Sequence, residues 1–161
     1  MYWRGHVGIA LLVYAPIAGA MLAMSQARLT LLGGGLVVAA ATLPDADQQL
    51  PVPHRGPTHT LPFAAVVGLL AGAFAALTLA VAAVGQSLPA WTPVFVGGVV
   101  TLSLCSHIAG DAITPMGIQP FRPLSAAHYT LDVLPAKHPR ANWAFLGVGV
   151  LSTAIVVGVA Y

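Results

Sequence analysis

Six side chains of metal-ligand type, His6, Asp45, His54, His59, His107 and Asp111, are spread over four separate segments of this 161-residue sequence. His107 and Asp111 stand four residues apart, so on a helix the imidazole and the carboxylate share one side, one turn apart, and both reach a single ion. A hydrogen bond that ties two helices together is the plainer use of such a pair. In His54-Arg55-Gly56-Pro57-Thr58-His59, Gly56 and Pro57 break any helix and let the backbone fold until both imidazoles face one centre. An ordinary polar loop is the alternative. Asp45-Ala46-Asp47 follows Pro44, and closely spaced carboxylates in so apolar a chain either bind a cation or raise one another's pKa. Their plainer use is as two solvated aspartates at a helix end. His6 alone reads as an interfacial histidine and gains weight from its company.

Imidazole and carboxylate donors without thiolate suit a divalent metal such as Zn²⁺, with Mn²⁺ or Fe²⁺ as alternatives. Cys105 is the single cysteine, which excludes an internal disulfide and a multi-cysteine zinc site. More than four donors leave room for one or two ions, or for one ion with groups that orient its ligands and a general base. Asp47 or Asp45 suits the base. Arg55 is placed to grip an anionic substrate oxygen with its planar fork, or else to serve as an interfacial charge that sets topology.

Groups like these need rigid elements to bring them together, and the composition says which. The chain is 58% hydrophobic and 6% charged, with a mean hydropathy of +0.86. That is too apolar for a water-exposed surface, and the bilayer is the expected solvent. Five apolar stretches, 7–24, 29–43, 61–84, 93–108 and 143–161, predict an all-α polytopic bundle of about five transmembrane helices forming one integral membrane domain over 1–161. Stretch 29–43 is the shortest, covering only ~22 Å at 1.5 Å per residue. Thr58 or Thr60 suits the cap of the third helix, with Pro62 in its first turn. A turn is expected at 25–28, loops at 44–60 and 86–92, and a Pro-rich cytoplasmic loop over 114–142, whose His128, Asp132 and His138 carry no assigned task. The apolar start resembles a signal peptide but reads better as an uncleaved first helix.

Alternating spans put all six ligand candidates on one face, together with Arg4, Arg55, Arg122, Lys137 and Arg140, while Arg28 lies on the other. The positive-inside rule makes the richer face cytoplasmic, with the amino terminus inside and the carboxyl terminus outside. The net charge of +2 and six scattered basic residues form no stripe for nucleic acid.

The early His6, the run Leu43-Pro44-Asp45-Ala46-Asp47, the block from His54 to His59, and His107-x3-Asp111 followed by Thr114-Pro115-x-Gly117 resemble the YdjM-type family of membrane-bound metal-dependent hydrolases, also described as LexA-binding and associated with the inner membrane. Members often carry a histidine soon after the Asp-x-Asp, where this chain has Gln48-Gln49. The resemblance implies metal-dependent hydrolysis without naming the bond. Location at a bilayer surface favours a lipid or a lipid-linked phosphoester as substrate. Two other classes compete: a divalent-metal transporter, since intramembrane His and Asp mark ion pathways, and a non-catalytic scaffold that a metal holds together. Clustering at one face, with no polar relay across the spans, speaks against transport.

Overall fold

The structure is a computed structural model that describes residues 1–81 and 88–160. Five helices follow in order: α1 Trp3–Ala23, α2 Ala27–Ala40, α3 Leu61–Val81, α4 Thr92–Ala112 and α5 Pro139–Val159. No strand occurs among the described residues, only an isolated bridge between Ile118 and Tyr129. All five helical segments are long and apolar enough to cross a membrane. The expected ends of stretches three and five, 82–84 and 161, and part of the connection at 86–92 lie outside the described residues.

The short second stretch has a specific resolution. Regular α-helix ends at Ala40, about 21 Å along at 1.5 Å per residue. The chain then carries on through a 3-10 segment, Leu43–Gln49, so that the apolar span runs over Ala27–Gln49. Such tighter backbone is tolerated at membrane depth only where protein surrounds it. Pro44 and Asp47 are accordingly buried.

Helices α1 and α5 run parallel, because α4 ends where α1 begins and the loop after it keeps the chain at that end. They touch backbone to backbone. A Cβ on Gly149 would lie 2.2 Å from the Gly8 carbonyl oxygen, so only glycine permits the approach. Polar ties pin α2 to α1 and to α4: Tyr14 donates to the Thr30 carbonyl at 2.7 Å and Ser103 to that of Val37 at 2.7 Å. One apolar core joins Val7, Tyr14 and Ala18 to Val37 and Val99, and a second joins Ala64 to Leu104 and Ile108. At the α1 start the Arg4 guanidinium lies over the rings of Trp3 and Trp143, an arrangement suited to the membrane–water boundary.

α3 begins where expected. The Thr60 hydroxyl accepts from the Phe63 N–H at 3.3 Å, which makes Thr60 the cap, and Pro62 falls in the first turn. The segment from Thr114 to His138 lies outside the helices, and His138 Nδ1 caps α5 by accepting from Ala141 N–H.

Candidate metal centre

The buried end of the bundle gathers Asp45, His59, His107 and Asp111, each offering an atom within 4.8 Å of the others. His59 and Asp45 come from the chain between α2 and α3, His107 and Asp111 from the last turns of α4. The two Nε2 atoms lie 3.2 Å apart. From His59 Nε2 it is 3.6 Å to Asp45 Oδ1 and 3.4 Å to Asp111 Oδ2; from His107 Nε2 the same oxygens are at 3.8 and 3.7 Å. Four ligands around a tetrahedral zinc, at ~2.0–2.1 Å each, stand ~3.3 Å from one another. The cluster is a little wider than that and of the right chemistry.

Hydrogen bonds fix which nitrogen faces inward. His107 Nδ1 donates to the Ala41 carbonyl at 2.7 Å, leaving Nε2 bare. The Thr58 hydroxyl donates to Asp47 Oδ2 at 3.0 Å, so its oxygen is free to accept from His59 Nδ1 at 3.0 Å. Both inward nitrogens are therefore lone-pair donors, and at 3.2 Å they repel unless a cation or a proton lies between them. Burial opposes protonation of His59, but the Asp111, Asp45 and Asp47 carboxylates outweigh it and hold its pKa above the ordinary histidine value. Asp111 Oδ2 and both nitrogens of His6 are buried without a hydrogen-bond partner. Orphaned polar atoms in a dry interior are costly, and a divalent ion would satisfy the Asp111 oxygen and the one His6 nitrogen that carries a lone pair.

His6 lies beside this group. Its ring stacks on His107, with centroids 3.6 Å apart and planes 9° from parallel, and its Nε2 faces the other oxygens of the two carboxylates, 3.5 Å from Asp111 Oδ1 and 3.9 Å from Asp45 Oδ2. Gly110 makes room for it: a Cβ there would sit 3.0 Å from Ile9 Cδ1 and 3.4 Å from His6 Nδ1.

Asp47 belongs to a second group with His54 and His59. Its carboxylate contacts four residues of the following loop: His54 Nδ1 at 2.9 Å, the Arg55 N–H at 3.0 Å, the Thr58 hydroxyl at 3.0 Å and His59 Nδ1 at 3.3 Å. Arg55 takes a left-handed φ of 58°, uncommon for a residue with a side chain, and the bond from its N–H to Asp47 holds it there. The Arg55 guanidinium turns back into the protein, donating to Asp111 Oδ1 at 2.9 Å, Thr114 Oγ1 at 3.0 Å and the Gly117 carbonyl at 2.9 Å. The Met1 ammonium also meets Asp111 Oδ1. Thr58, Gly110, Thr114 and the Ala41 carbonyl all support the site; Thr58 and Thr114 stand in the motifs that carry the family resemblance, whereas nothing in residue type marked Gly110 or the Ala41 carbonyl.

All six expected ligand residues thus meet at one end of the bundle: four in one cluster, His6 against it, and His54 on the outer side of Asp47. His128 and Asp132 stand apart, exposed in the loop. A pocket of about 580 Å³ opens over the cluster, lined by Asp45, His54, Arg55, Thr114 and Lys137 among others. Asp45, with 19% of its side chain accessible, is the member of the cluster that reaches it.

The chain matches no curated protein and no solved structure. The sequence model of the YdjM inner membrane protein family covers residues 1–161, and this multi-pass membrane protein belongs to that family.

Proposed function

We propose that the protein is a metal-dependent hydrolase acting on a phosphoester or a lipid-linked substrate at the cytoplasmic face. The observation that carries this reading is the cluster of Asp45, His59, His107 and Asp111, nearly dry yet open through Asp45 alone to a pocket whose wall also carries His54, Arg55 and Lys137. Zinc fits the donor set, with manganese or iron as alternatives; a second ion near His54 and Asp47 would have to replace the hydrogen bonds that Asp47 now accepts. When bound, such an ion supplies Lewis acidity and brings the pKa of water toward neutrality.

The chain's own groups divide the remaining work. Asp45, the member of the cluster that lines the pocket, takes the proton from attacking water. Asp47 is occupied by donors from the loop and holds His59 in place, so the base role falls to Asp45. Lys137 and Arg55 make the pocket wall positive and favour an anionic substrate. Arg55 has one unpartnered donor, Nε, and otherwise steadies Asp111.

Two experiments test the proposal. Metal-loaded protein in detergent should cleave a member of a panel of aryl phosphodiesters and phospholipids, and His107→Ala should abolish that turnover. Metal uptake into proteoliposomes without cleavage of any panel member would favour a transporter instead. For orientation, a reporter inserted near Ala127 should read as cytoplasmic and one in the Ser25–Gln26 turn as extracytoplasmic, following the asymmetry of Arg and Lys. The opposite pattern would move the site to the outer face.

A further inference from the structure

The segment between α4 and α5 carries an unusual surface for a loop. Met116, Phe121, Leu124, Tyr129, Leu131 and Val133 are all exposed, Leu124 at 90%. Large apolar side chains in such number are unstable in water and point to a loop lying in the boundary between headgroups and acyl chains.

Where this loop meets α3 it encloses a groove of about 700 Å³, lined by Pro57, Thr60, Pro62, Phe63, Val66, Arg122, Pro123 and Ala126. The groove is prebuilt. The Leu61 N–H donates to the Pro120 carbonyl at 2.8 Å, Ser125 N–H closes back on Phe121, and Gln119 reaches the Ala126 carbonyl at 3.2 Å. Its floor is apolar and belongs to the first turns of a membrane span, whereas its rim carries one cation. Arg122 is exposed and has no carboxylate partner among the described residues. No acidic side chain lines the groove, and Asp132 is the single acid of the whole loop.

We propose that this groove binds one anionic phospholipid, its acyl chain along Pro62, Phe63 and Val66 and its phosphate on Arg122. The apolar groove between α3 and α4 offers the contrast: its lining, which includes Gly68, Gly72 and Gly97, holds no charged side chain and so nothing to select a headgroup. An arginine at the mouth of an apolar slot at the membrane boundary selects by charge. The groove shares no lining residue with the pocket over the His/Asp cluster, and the proposal stands independently of the hydrolase reading.

Native mass spectrometry of the full chain, released from detergent after incubation with dioleoylphosphatidylglycerol or dioleoylphosphatidylcholine, tests it. The wild type should retain the first phosphatidylglycerol about fivefold better, the factor that ~1 kcal/mol per basic side chain at a membrane surface corresponds to. Arg122→Gln should erase that preference, while Arg140→Gln, at the same end of the bundle but outside the groove, should keep it. Val66→Trp, which fills the slot from an exposed position, should lower retention of both lipids, and glycerol 3-phosphate should fail to displace the bound lipid. Equal retention of the two lipids by the wild type, or an unchanged preference in Arg122→Gln, would overturn headgroup selection by Arg122. Undiminished retention in Val66→Trp, or displacement by glycerol 3-phosphate, would overturn the acyl-chain placement.

Discussion

His59 and His107 hold their Nε2 atoms 3.2 Å apart in the buried end of the bundle, although one sits on a bent loop and the other on α4. Each ring is pinned from behind, His107 by the Ala41 carbonyl and His59 by Thr58 and Asp47, so neither can turn its lone pair away without breaking a buried hydrogen bond. An arrangement that forces two lone pairs together is held by whatever positive charge lies between them. That brings the loop fold, the end of α2 and the end of α4 to one point, where a cation or a proton would sit.

Asp47→Asn should separate orientation of the ligand from ligation itself. The amide keeps the volume but loses the charge that gathers His54, Arg55, Thr58 and His59. Removal of a group that orients a metal-bound histidine typically weakens metal affinity ~10–100-fold. Competition titration with a chromophoric chelator measures this. Affinity equal to the wild type would mean that the loop holds His59 without Asp47.

Protons should compete with the metal at His59, whose pKa lies above the ordinary histidine value. In the metal-free protein the protonated ring stabilises the folded end at low pH, and that contribution is lost as pH rises through the raised pKa. Metal binding has the opposite sign, because ligation requires the neutral ring. Apparent affinity should therefore fall roughly tenfold per pH unit below that pKa and level off above it. An affinity flat from pH 5 to 8 would remove His59 from the ligand set.

Gly149→Ala tests the α1–α5 contact. Its new methyl would meet the Gly8 carbonyl, and such overpacking costs about 1–3 kcal/mol. Gly147→Ala is the control, since a Cβ there has nothing within 4 Å and the alanine favours helix. Thermal unfolding in detergent should show the first variant destabilised and the second unchanged or slightly stabilised.

The spans were legible in the sequence because lipid demands long apolar runs, and the ligand residues were legible because histidine and aspartate are costly in such runs. What stayed hidden was carried by backbone and by small residues. The second stretch looked short because its last turns are 3-10 rather than α, with Asp45 and Asp47 inside them. Residue type does not announce that the Ala41 carbonyl will receive His107, or that Gly110 will leave room for His6. Arg55, expected to grip a substrate oxygen or else to serve as an interfacial charge, is drawn inward by Asp111, Thr114 and Gly117, groups some sixty residues away that only the folded chain brings near.

Metal content per chain, by elemental analysis of matched proteins purified under metal-replete conditions, tests the centre most directly. Wild type should carry at least one equivalent of a divalent metal. His59→Ala, His107→Ala and Asp111→Ala should each lose most of it while keeping their helical content, since the spans still bury their apolar faces in lipid. Asp132→Ala, an exposed carboxylate that is no member of the cluster, should match the wild type. Near-zero metal in the wild type, or full occupancy in both His59→Ala and His107→Ala, would contradict the account.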